Sequence, residues 1–284
     1  MDNTIYTAGT LLEIMNNAFK QHNMEQASAE AVAILAELLN CNRVQAQVDT
    51  DRPLDKKTFE QGLEIIHRRL HNEPWQYIFQ RAYFRDLTLH VTSAVLIPRP
   101  ETELLVDWCL DVLPEHGSLL DMGTGSGAIA LAVATERPDI CVTACDVSPD
   151  ALKIAALNGK RIAPERVKWL QSDLFSALPT DKFDVIAGNL PYVTESEYAL
   201  LSPEVRDFEP KLALTSGEDG LDLIRRVITE ASEHLNIRGS IILEMSEPQT
   251  ATAAELFSRH NCWCAIEILQ DYTRRNRFVT ARLR

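Results

Sequence analysis

The chain has 284 residues, of which 45% are hydrophobic and 24% are charged, and its formal net charge is −13 at pH 7. This length and composition are typical of a globular protein with one large domain or two ordinary ones. The acidic balance argues against a protein that binds mainly to phosphate backbones, because such binding draws on clustered lysines and arginines. We therefore expect no direct nucleic-acid binding.

The sequence contains no signal for export, membrane insertion or metal binding. The chain starts with an acidic segment that lacks the basic and apolar parts of a signal peptide. No apolar run approaches the ~18 residues of a membrane span. The six cysteines form no C-x-x-C pair, and the seven histidines have no ligand spacing. We therefore predict a cytoplasmic protein with free thiols, no metal and no membrane partner.

Residues 1–75 have the periodicity of helices. Apolar residues recur at helical spacing in three segments, 10–21, 28–40 and 55–72. Ser28 is expected to be the N-cap of the second helix. The run Asn72-Glu73-Pro74 then breaks the pattern. These features predict a small helical bundle as the first domain.

Residues 76–97 are expected to link two domains, since residue types alternate over 82–97 as in a hairpin. From residue 98 to 284, short apolar strands alternate with helices. Such alternation predicts an α/β domain with a parallel sheet covered on both faces. The final run 277–284 predicts one more strand.

The strongest local pattern is the glycine-rich turn that follows an apolar strand and Asp121. It consists of Gly123, Thr124, Gly125, Ser126 and Gly127. Glycines permit a tight turn and let the backbone approach a ligand closely. The spacing is not that of a dinucleotide site, and no phosphate-binding G-K-[ST] follows. A structural turn and a ligand-binding loop both fit this pattern taken alone.

Acidic side chains follow the next two predicted strands. Asp146 ends the second strand, where its carboxylate would reach the ribose hydroxyls of a nucleoside bound at the glycine-rich turn. The alternative for Asp146 is local capping, but Ser148 followed by Pro149 is the better cap pair. Asp173 and Leu174 follow the third strand. Leu174 is placed to pack on an adenine ring, whereas Asp173 fits a ligand role and an ordinary loop role equally.

The fourth strand ends in the run Asn189-Leu190-Pro191-Tyr192. The Asn189 side-chain oxygen and the Leu190 carbonyl, held extended by the following proline, are two acceptors that suit a planar –NH2 group. Tyr192 offers a flat face for stacking. With both N–H bonds engaged, the nitrogen lone pair can face an electrophile, and the rate would come mainly from positioning. The alternative is a strand-end turn with a buried tyrosine.

Together these motifs resemble class I methyltransferases that use S-adenosylmethionine. Within them, the chain is similar over essentially its whole length to the family that methylates a glutamine amide in bacterial peptide-chain release factors. The residues that carry the resemblance include 96–107, 121–127, 189–192 and 209–226. The resemblance implies a Rossmann-like, seven-stranded, mostly parallel sheet preceded by a helical substrate-recognition domain. It also implies that the acceptor is the glutamine of the release factor's Gly-Gly-Gln loop.

The resemblance further implies a role for each motif. The turn 123–127 would hold the methionine end of S-adenosylmethionine, with Asp146 on its ribose and Leu174 beside its adenine. Asn189 would be both a catalytic and a cofactor-contacting residue, with Tyr192 as its catalytic partner. Residues that would grip the glutamine amide are Asn189, Leu190, Pro191 and Tyr192.

Two other functions fit parts of the sequence. An adenine amino-group methyltransferase acting on RNA or DNA needs the same two acceptors for its –NH2 group. The release-factor family usually has proline at the position of Leu190, whereas leucine at this position also occurs in ribosomal-RNA adenine dimethylases. The acidic balance and the segment PRPETE at 98–103 argue against that function. The intact motifs argue against a non-catalytic partner protein. For Arg99 and Glu103, an interdomain salt bridge and a wall of the substrate entrance remain open.

Overall fold

The computed structural model describes residues 6–284, which form two compact units that divide between Phe79 and Gln80. The first five residues of the predicted helical domain lie outside the described residues. Within 6–284, no helix is both long enough and apolar enough to cross a membrane.

The first unit is helical, as predicted. Its elements are β1 (Tyr6–Thr7), α1 (Ala8–Gln21), α2 (Ala27–Leu39), α3 (Arg43–Val48), β2 (Pro53–Leu54), α4 (Lys56–Leu70) and α5 (Trp75–Ile78). The apolar faces of the three long helices form one core, in which Leu11, Met15, Phe19 and Ile34 are fully buried. The short strands β1 and β2 pair antiparallel.

The predicted N-cap at Ser28 was wrong. Helix α2 begins at Ala27, after Gln26 with a left-handed φ of 53°. Ser28 therefore lies inside the first turn, and its hydroxyl donates to the Asn16 side-chain oxygen at 2.9 Å. A tertiary hydrogen bond to α1 thus takes the hydroxyl that local sequence assigns to capping.

The second unit begins with a hairpin and continues as an α/β domain. Its first elements are β3 (Ala82–Phe84), β4 (Leu87–Leu89), α6 (Thr102–Val112), β5 (Ser118–Met122), α7 (Ala128–Glu136), β6 (Cys141–Asp146), α8 (Pro149–Ile162), β7 (Val167–Gln171) and β8 (Phe183–Gly188). The remaining elements are α9 (Glu195–Tyr198), α10 (Pro203–Phe208), a 3-10 turn (Lys211–Ala213), α11 (Asp222–Glu230), a second 3-10 turn (Ala231–Glu233), β9 (Leu235–Glu244), α12 (Glu247–Ser258), β10 (Trp263–Gln270) and β11 (Asn276–Leu283). The hairpin strands occupy only part of the predicted range 82–97.

Seven strands form one sheet in the order β10-β11-β9-β8-β5-β6-β7. Strands β5 to β9 pair in parallel, and β10 and β11 join antiparallel at one edge. The seven-stranded, mostly parallel fold is therefore confirmed, including the final strand. The chain runs from β5 outward to β7 and then returns to place β8 on the other side of β5. Such a reversal opens a crevice at the carboxyl ends of the strands, where α/β proteins bind ligands.

Local sequence explains the elements that border this crevice. Strand β5 is buried from Leu119 to Met122, as expected for a central parallel strand that is apolar apart from Asp121. Helix α7 is buried along residues 128–134, which explains its lack of a polar face. Helix α8 starts as predicted, with the Ser148 side chain accepting from the Ala151 N–H and Pro149 at the first position.

Candidate active site

A cavity of about 310 Å³ lies at the carboxyl ends of β5, β6 and β8 and beside the residues that follow β7. Most of the predicted site residues line it: Gly123, Thr124, Gly125, Ser126, Asp146, Leu174, Asn189, Leu190 and Pro191. Gly127 and Tyr192 lie outside this lining. Four separate strand ends thus bring the sequence motifs to one place.

The glycine-rich turn has the backbone geometry that glycine favours. The φ angles are 71° at Gly123, 55° at Gly125 and 86° at Gly127. A Cβ atom at Gly125 would meet no heavy atom of the described part of the chain within 4 Å, whereas one at Gly127 would lie 3.0 Å from the Trp169 ring. Gly125 therefore leaves its backbone open to the cavity, and Gly127 is needed for packing at the start of α7.

Asp146 bonds to the turn and also lines the cavity. Its two carboxylate oxygens accept from the backbone N–H groups of Gly125 and Ser148, each at 2.9 Å. Burial raises the pKa of Asp146, and these two hydrogen bonds oppose the shift. A carboxylate has about four lone-pair sites, so two remain for a ligand. Local bonding and ligand binding, the two alternatives from the sequence, are therefore compatible.

Asp121 lies directly beneath the glycine-rich turn and is fully buried. One carboxylate oxygen accepts from the Thr124 hydroxyl at 2.6 Å and from the Ala130 N–H at 3.1 Å, and the other has no hydrogen-bond partner among residues 6–284. Burial raises the pKa of Asp121 to about 7. Asp121 therefore ties the turn to α7, a role that its place in an apolar strand could have signalled.

The two residues after β7 differ in their surroundings. Leu174 is buried with a φ of 48° and lines the cavity with an apolar side chain. Asp173 also lines the cavity, but both of its oxygens accept from the Arg226 guanidinium, at 3.0 and 3.2 Å. This pair explains the position of Asp173 without a ligand.

Asn189 belongs to a hydrogen-bonded row of three side chains. Its amide nitrogen donates to the Thr102 hydroxyl at 3.0 Å, and that hydroxyl donates to the Glu244 carboxylate at 2.8 Å. Thr102 is the first residue of α6, and Glu244 is the last residue of β9. Sequence reasoning missed both residues. A carboxylate at the end of an apolar strand was the available signal, as it was for Asp146.

Tyr192 packs against the hydrophobic core of the second unit rather than lining the cavity. Its backbone carbonyl accepts from the Gln249 side-chain amide at 2.8 Å. Burial raises the pKa of the Tyr192 hydroxyl to about 12, and the charge of Glu244 adds to the shift. The phenol therefore keeps its proton at neutral pH, and its stacking role stays a prediction.

Arg99 and Glu103 each bind a partner within the second unit. Arg99 lines the cavity and pairs with Glu209 at 2.7 Å, and Glu209 is almost completely buried. The Glu103 carboxylate accepts from the backbone N–H of Arg85 at 2.9 Å, in the turn of the β3–β4 hairpin. Neither pair joins the two units, so the cavity-wall alternative fits Arg99, and a structural role fits Glu103.

Comparisons with known proteins identify the class to which this fold and cavity belong. Residues 100–202 match the family model described as methyltransferase small domain, and residues 10–79 match the PrmC N-terminal domain. A methyltransferase from Pyrococcus furiosus shares the fold with a TM-score of 0.54 and 18% identity, over 76% of this chain and 96% of that chain. A T. thermophilus 16S rRNA methyltransferase in complex with AdoMet and guanosine has a TM-score of 0.51 and 18% identity, over 72% and 50%. The chain is a class I methyltransferase.

The similarity to curated proteins extends through both units. A release factor glutamine methyltransferase from Geobacter sulfurreducens is 34% identical over 279 residues, which cover 98% of this chain and 98% of that protein. The chain therefore belongs to the release factor glutamine methyltransferase family. The resemblance drawn from the sequence motifs is confirmed.

Proposed function

We propose that this chain transfers a methyl group from S-adenosylmethionine to the side-chain amide of the glutamine in the Gly-Gly-Gln loop of release factors. The observation that carries the proposal is the orientation of the Asn189 side chain at the wall of the cavity. Its amide nitrogen donates to Thr102, so its oxygen remains to accept a hydrogen bond from a substrate. The family name supports release factors as the substrate class. The helical unit, which matches the PrmC N-terminal domain, is proposed to recognise the release factor.

The cavity residues fit S-adenosylmethionine. A volume of about 310 Å³ is suited to a small ligand, and the backbone at Gly125 is open to it. Asp146 is proposed to accept from the ribose hydroxyls and Leu174 to pack on the adenine. The turn 123–127 is proposed to hold the methionine end. When bound, the cofactor supplies a methyl group on a positively charged sulfur.

The substrate amide is proposed to bind at the end of β8. The Asn189 side-chain oxygen and the Leu190 carbonyl would accept its two N–H bonds, so the nitrogen lone pair would be left to form the new N–C bond. The methyl–sulfur bond would break at the same time, and its electron pair would stay on the sulfur, which becomes neutral. One of the two nitrogen protons then leaves to water. Such positioning lowers a barrier by up to ~7–11 kcal/mol in well-oriented systems. Pro191 restrains the Leu190 carbonyl, and Tyr192 is proposed to stack on the amide plane.

An adenine amino-group methyltransferase is the second candidate, because Leu190 and the same two acceptors suit an exocyclic amine equally. The net charge of −13 weighs against a nucleic-acid substrate. An unmethylated RNA offered beside a release factor distinguishes the two candidates.

The test is Asn189→Ala in a labelled methyl-transfer assay with a release factor. We expect kcat to fall by about 100-fold or more, since a preset polar contact at a reacting group is worth about that much. Cofactor affinity should change little. The matched control is Asn236→Ala, because the Asn236 amide donates to Asp184 near the amino ends of β8 and β9. Undiminished transfer by Asn189→Ala would contradict the proposal.

A further inference from the structure

The row Asn189–Thr102–Glu244 joins three elements that are distant in sequence. Thr102 is 87 positions from Asn189 and 142 positions from Glu244. Thr102 and Glu244 are 5% and 2% exposed, so water does not compete for their hydrogen bonds. Thr102 lines the cavity beside Asn189. The row therefore connects the cavity wall to a carboxylate in the core.

The chemistry of the three groups fixes the direction of the row. An ionised carboxylate only accepts hydrogen bonds, so the single Thr102 hydroxyl proton must point to Glu244. The Thr102 oxygen then has only lone pairs to offer Asn189. Asn189 must therefore donate to this oxygen with its NH2 group, and its side-chain carbonyl oxygen must point away from Thr102. The carboxylate thus sets which end of the Asn189 amide is available to a ligand.

We propose that Thr102 and Glu244 are positioning residues that hold the Asn189 amide with its oxygen toward the substrate, so that the site selects N–H donors. The identity of the substrate rests on the proposed function, whereas the orientation of Asn189 does not. Neither residue contacts the reacting atoms in this role. Their effect passes through one side chain, Asn189.

The surroundings of Glu244 make the row sensitive to pH. Burial raises the pKa of Glu244 to about 7, and the nearby charge of Glu101 adds to this shift. The Thr102 hydrogen bond and the positive charges of Arg277 and Arg99 lower the pKa and oppose the shift. Tyr192, which also faces Glu244, keeps its proton at neutral pH.

Protonation of Glu244 allows the donor and acceptor roles within the row to reverse. Its O–H group can donate to Thr102, and the Thr102 hydroxyl is then free to donate to the Asn189 oxygen. The amide can turn over and present NH2, which does not accept from a substrate amide. We therefore expect kcat to fall as the pH drops through about 7.

The first test compares Thr102→Val with Thr102→Ser. Valine keeps the shape and loses the hydroxyl, so kcat should fall about 10- to 100-fold, the usual effect of removing a group that orients a site residue. Serine should recover most of that loss. Affinity for S-adenosylmethionine, measured by calorimetry, should change little in both variants, because Asp146, Leu174 and the turn 123–127, which are proposed to hold the cofactor, are unchanged.

The control is Thr250→Val, which removes another buried hydroxyl. Thr250 is 1% exposed, and its hydroxyl donates to the Glu247 carbonyl within helix α12. This variant should keep the kcat of the unmodified protein. A loss equal to that of Thr102→Val would mean that deleting any buried hydroxyl is enough, and it would overturn the proposal.

The second test is the pH profile of kcat. The acid limb near pH 7 should be absent from Glu244→Gln and from Thr102→Val, since the first lacks the titrating group and the second lacks the connecting hydroxyl. An unchanged acid limb in both variants would overturn the proposal. Thermal unfolding of each variant shows whether the fold is intact.

A third measurement does not need the release factor. The Asn189 side-chain NH2 resonances, identified by their loss in Asn189→Asp, should show slow hydrogen exchange that Thr102→Val makes fast. If the unmodified protein methylates no release factor, the proposed function fails, and this measurement still decides the orientation of Asn189. Equal exchange in both proteins would overturn the inference alone.

Discussion

At the residue scale, Gly125 and Gly127 have similar backbone angles but different neighbours. Alanine at either position has a left-handed φ and should cost about 1–2 kcal/mol of unfolding free energy. At Gly125 the added methyl group extends into the cavity, while at Gly127 it meets Trp169 at 3.0 Å. We expect only Gly125→Ala to weaken S-adenosylmethionine binding strongly in calorimetry. A larger loss of S-adenosylmethionine affinity in Gly127→Ala than in Gly125→Ala would contradict the assignment of Gly125 to the cofactor site.

Asp146 provides a second residue-scale prediction. Asp146→Ala removes two proposed contacts to the ribose and also the bond that holds Gly125. Affinity for S-adenosylmethionine should fall by about 100-fold or more, because hydrogen bonds to a charged group are worth about 1.5–3 kcal/mol each and two of them would be lost. The control is Asp150→Ala, since Asp150 is exposed and forms a surface ion pair with Lys153. Equal affinities in the two variants would remove the ribose role.

At the element scale, Arg99 and Glu209 join the segment before α6 to the segment after α10. Arg99→Met leaves a buried carboxylate without its cation, so unfolding free energy should fall by about 1–3 kcal/mol, less than for a fully buried pair because Arg99 is partly exposed. Adding Glu209→Gln removes the unpaired charge and should restore part of the loss. Urea unfolding measures both variants. A double variant no more stable than Arg99→Met would contradict this account of the pair.

Elements whose signals are local were predictable from the sequence. The central strands, the glycine-rich turn and the start of α8 at Ser148 all depend on residues within one short segment. Ser28 was mispredicted because its partner, Asn16, belongs to another helix. Thr102 and Glu244 were missed for the same reason, since 142 positions separate them and neither belongs to a local motif that implies the other.

At the scale of the whole molecule, the two carboxyls with the largest upward pKa shifts, Asp121 and Glu244, make stability depend on pH. Burial raises the pKa of Asp121 from 3.8 to about 7 and that of Glu244 from 4.5 to about 7. The unfolded chain therefore loses these protons at lower pH than the folded chain does. Between about pH 4 and 7 the folded state binds more protons, so the free energy of unfolding should decrease as the pH rises.

Glu244→Gln tests this dependence by urea unfolding at pH 5 and pH 8. Because the variant lacks one of the two groups, its stability should fall less than that of the unmodified protein over this interval. The difference should reach at most about 3 kcal/mol, from about 1.4 kcal/mol per pKa unit. Identical pH dependence in both proteins would show that Glu244 titrates normally in the fold.

The alternation of strands and helices and the spacing of the motifs predicted the fold of the whole molecule, because each strand–helix unit has its own apolar pattern. The same patterns placed four strand ends at one edge of the sheet. They did not predict which residues hold Asn189, since those contacts form only when the sheet and α6 come together. The position of the Tyr192 ring was not predicted for a similar reason. The ring packs against a hydrophobic core to which several segments of the chain contribute.

The most direct test of the central claim is to incubate the protein with labelled S-adenosylmethionine, a release factor and unmethylated ribosomal RNA, and to map the label. We predict label only on the glutamine of the release factor's Gly-Gly-Gln loop, with none when that glutamine is replaced. Label confined to the RNA, or retained by the release factor after the replacement, would contradict the assignment of glutamine as the acceptor.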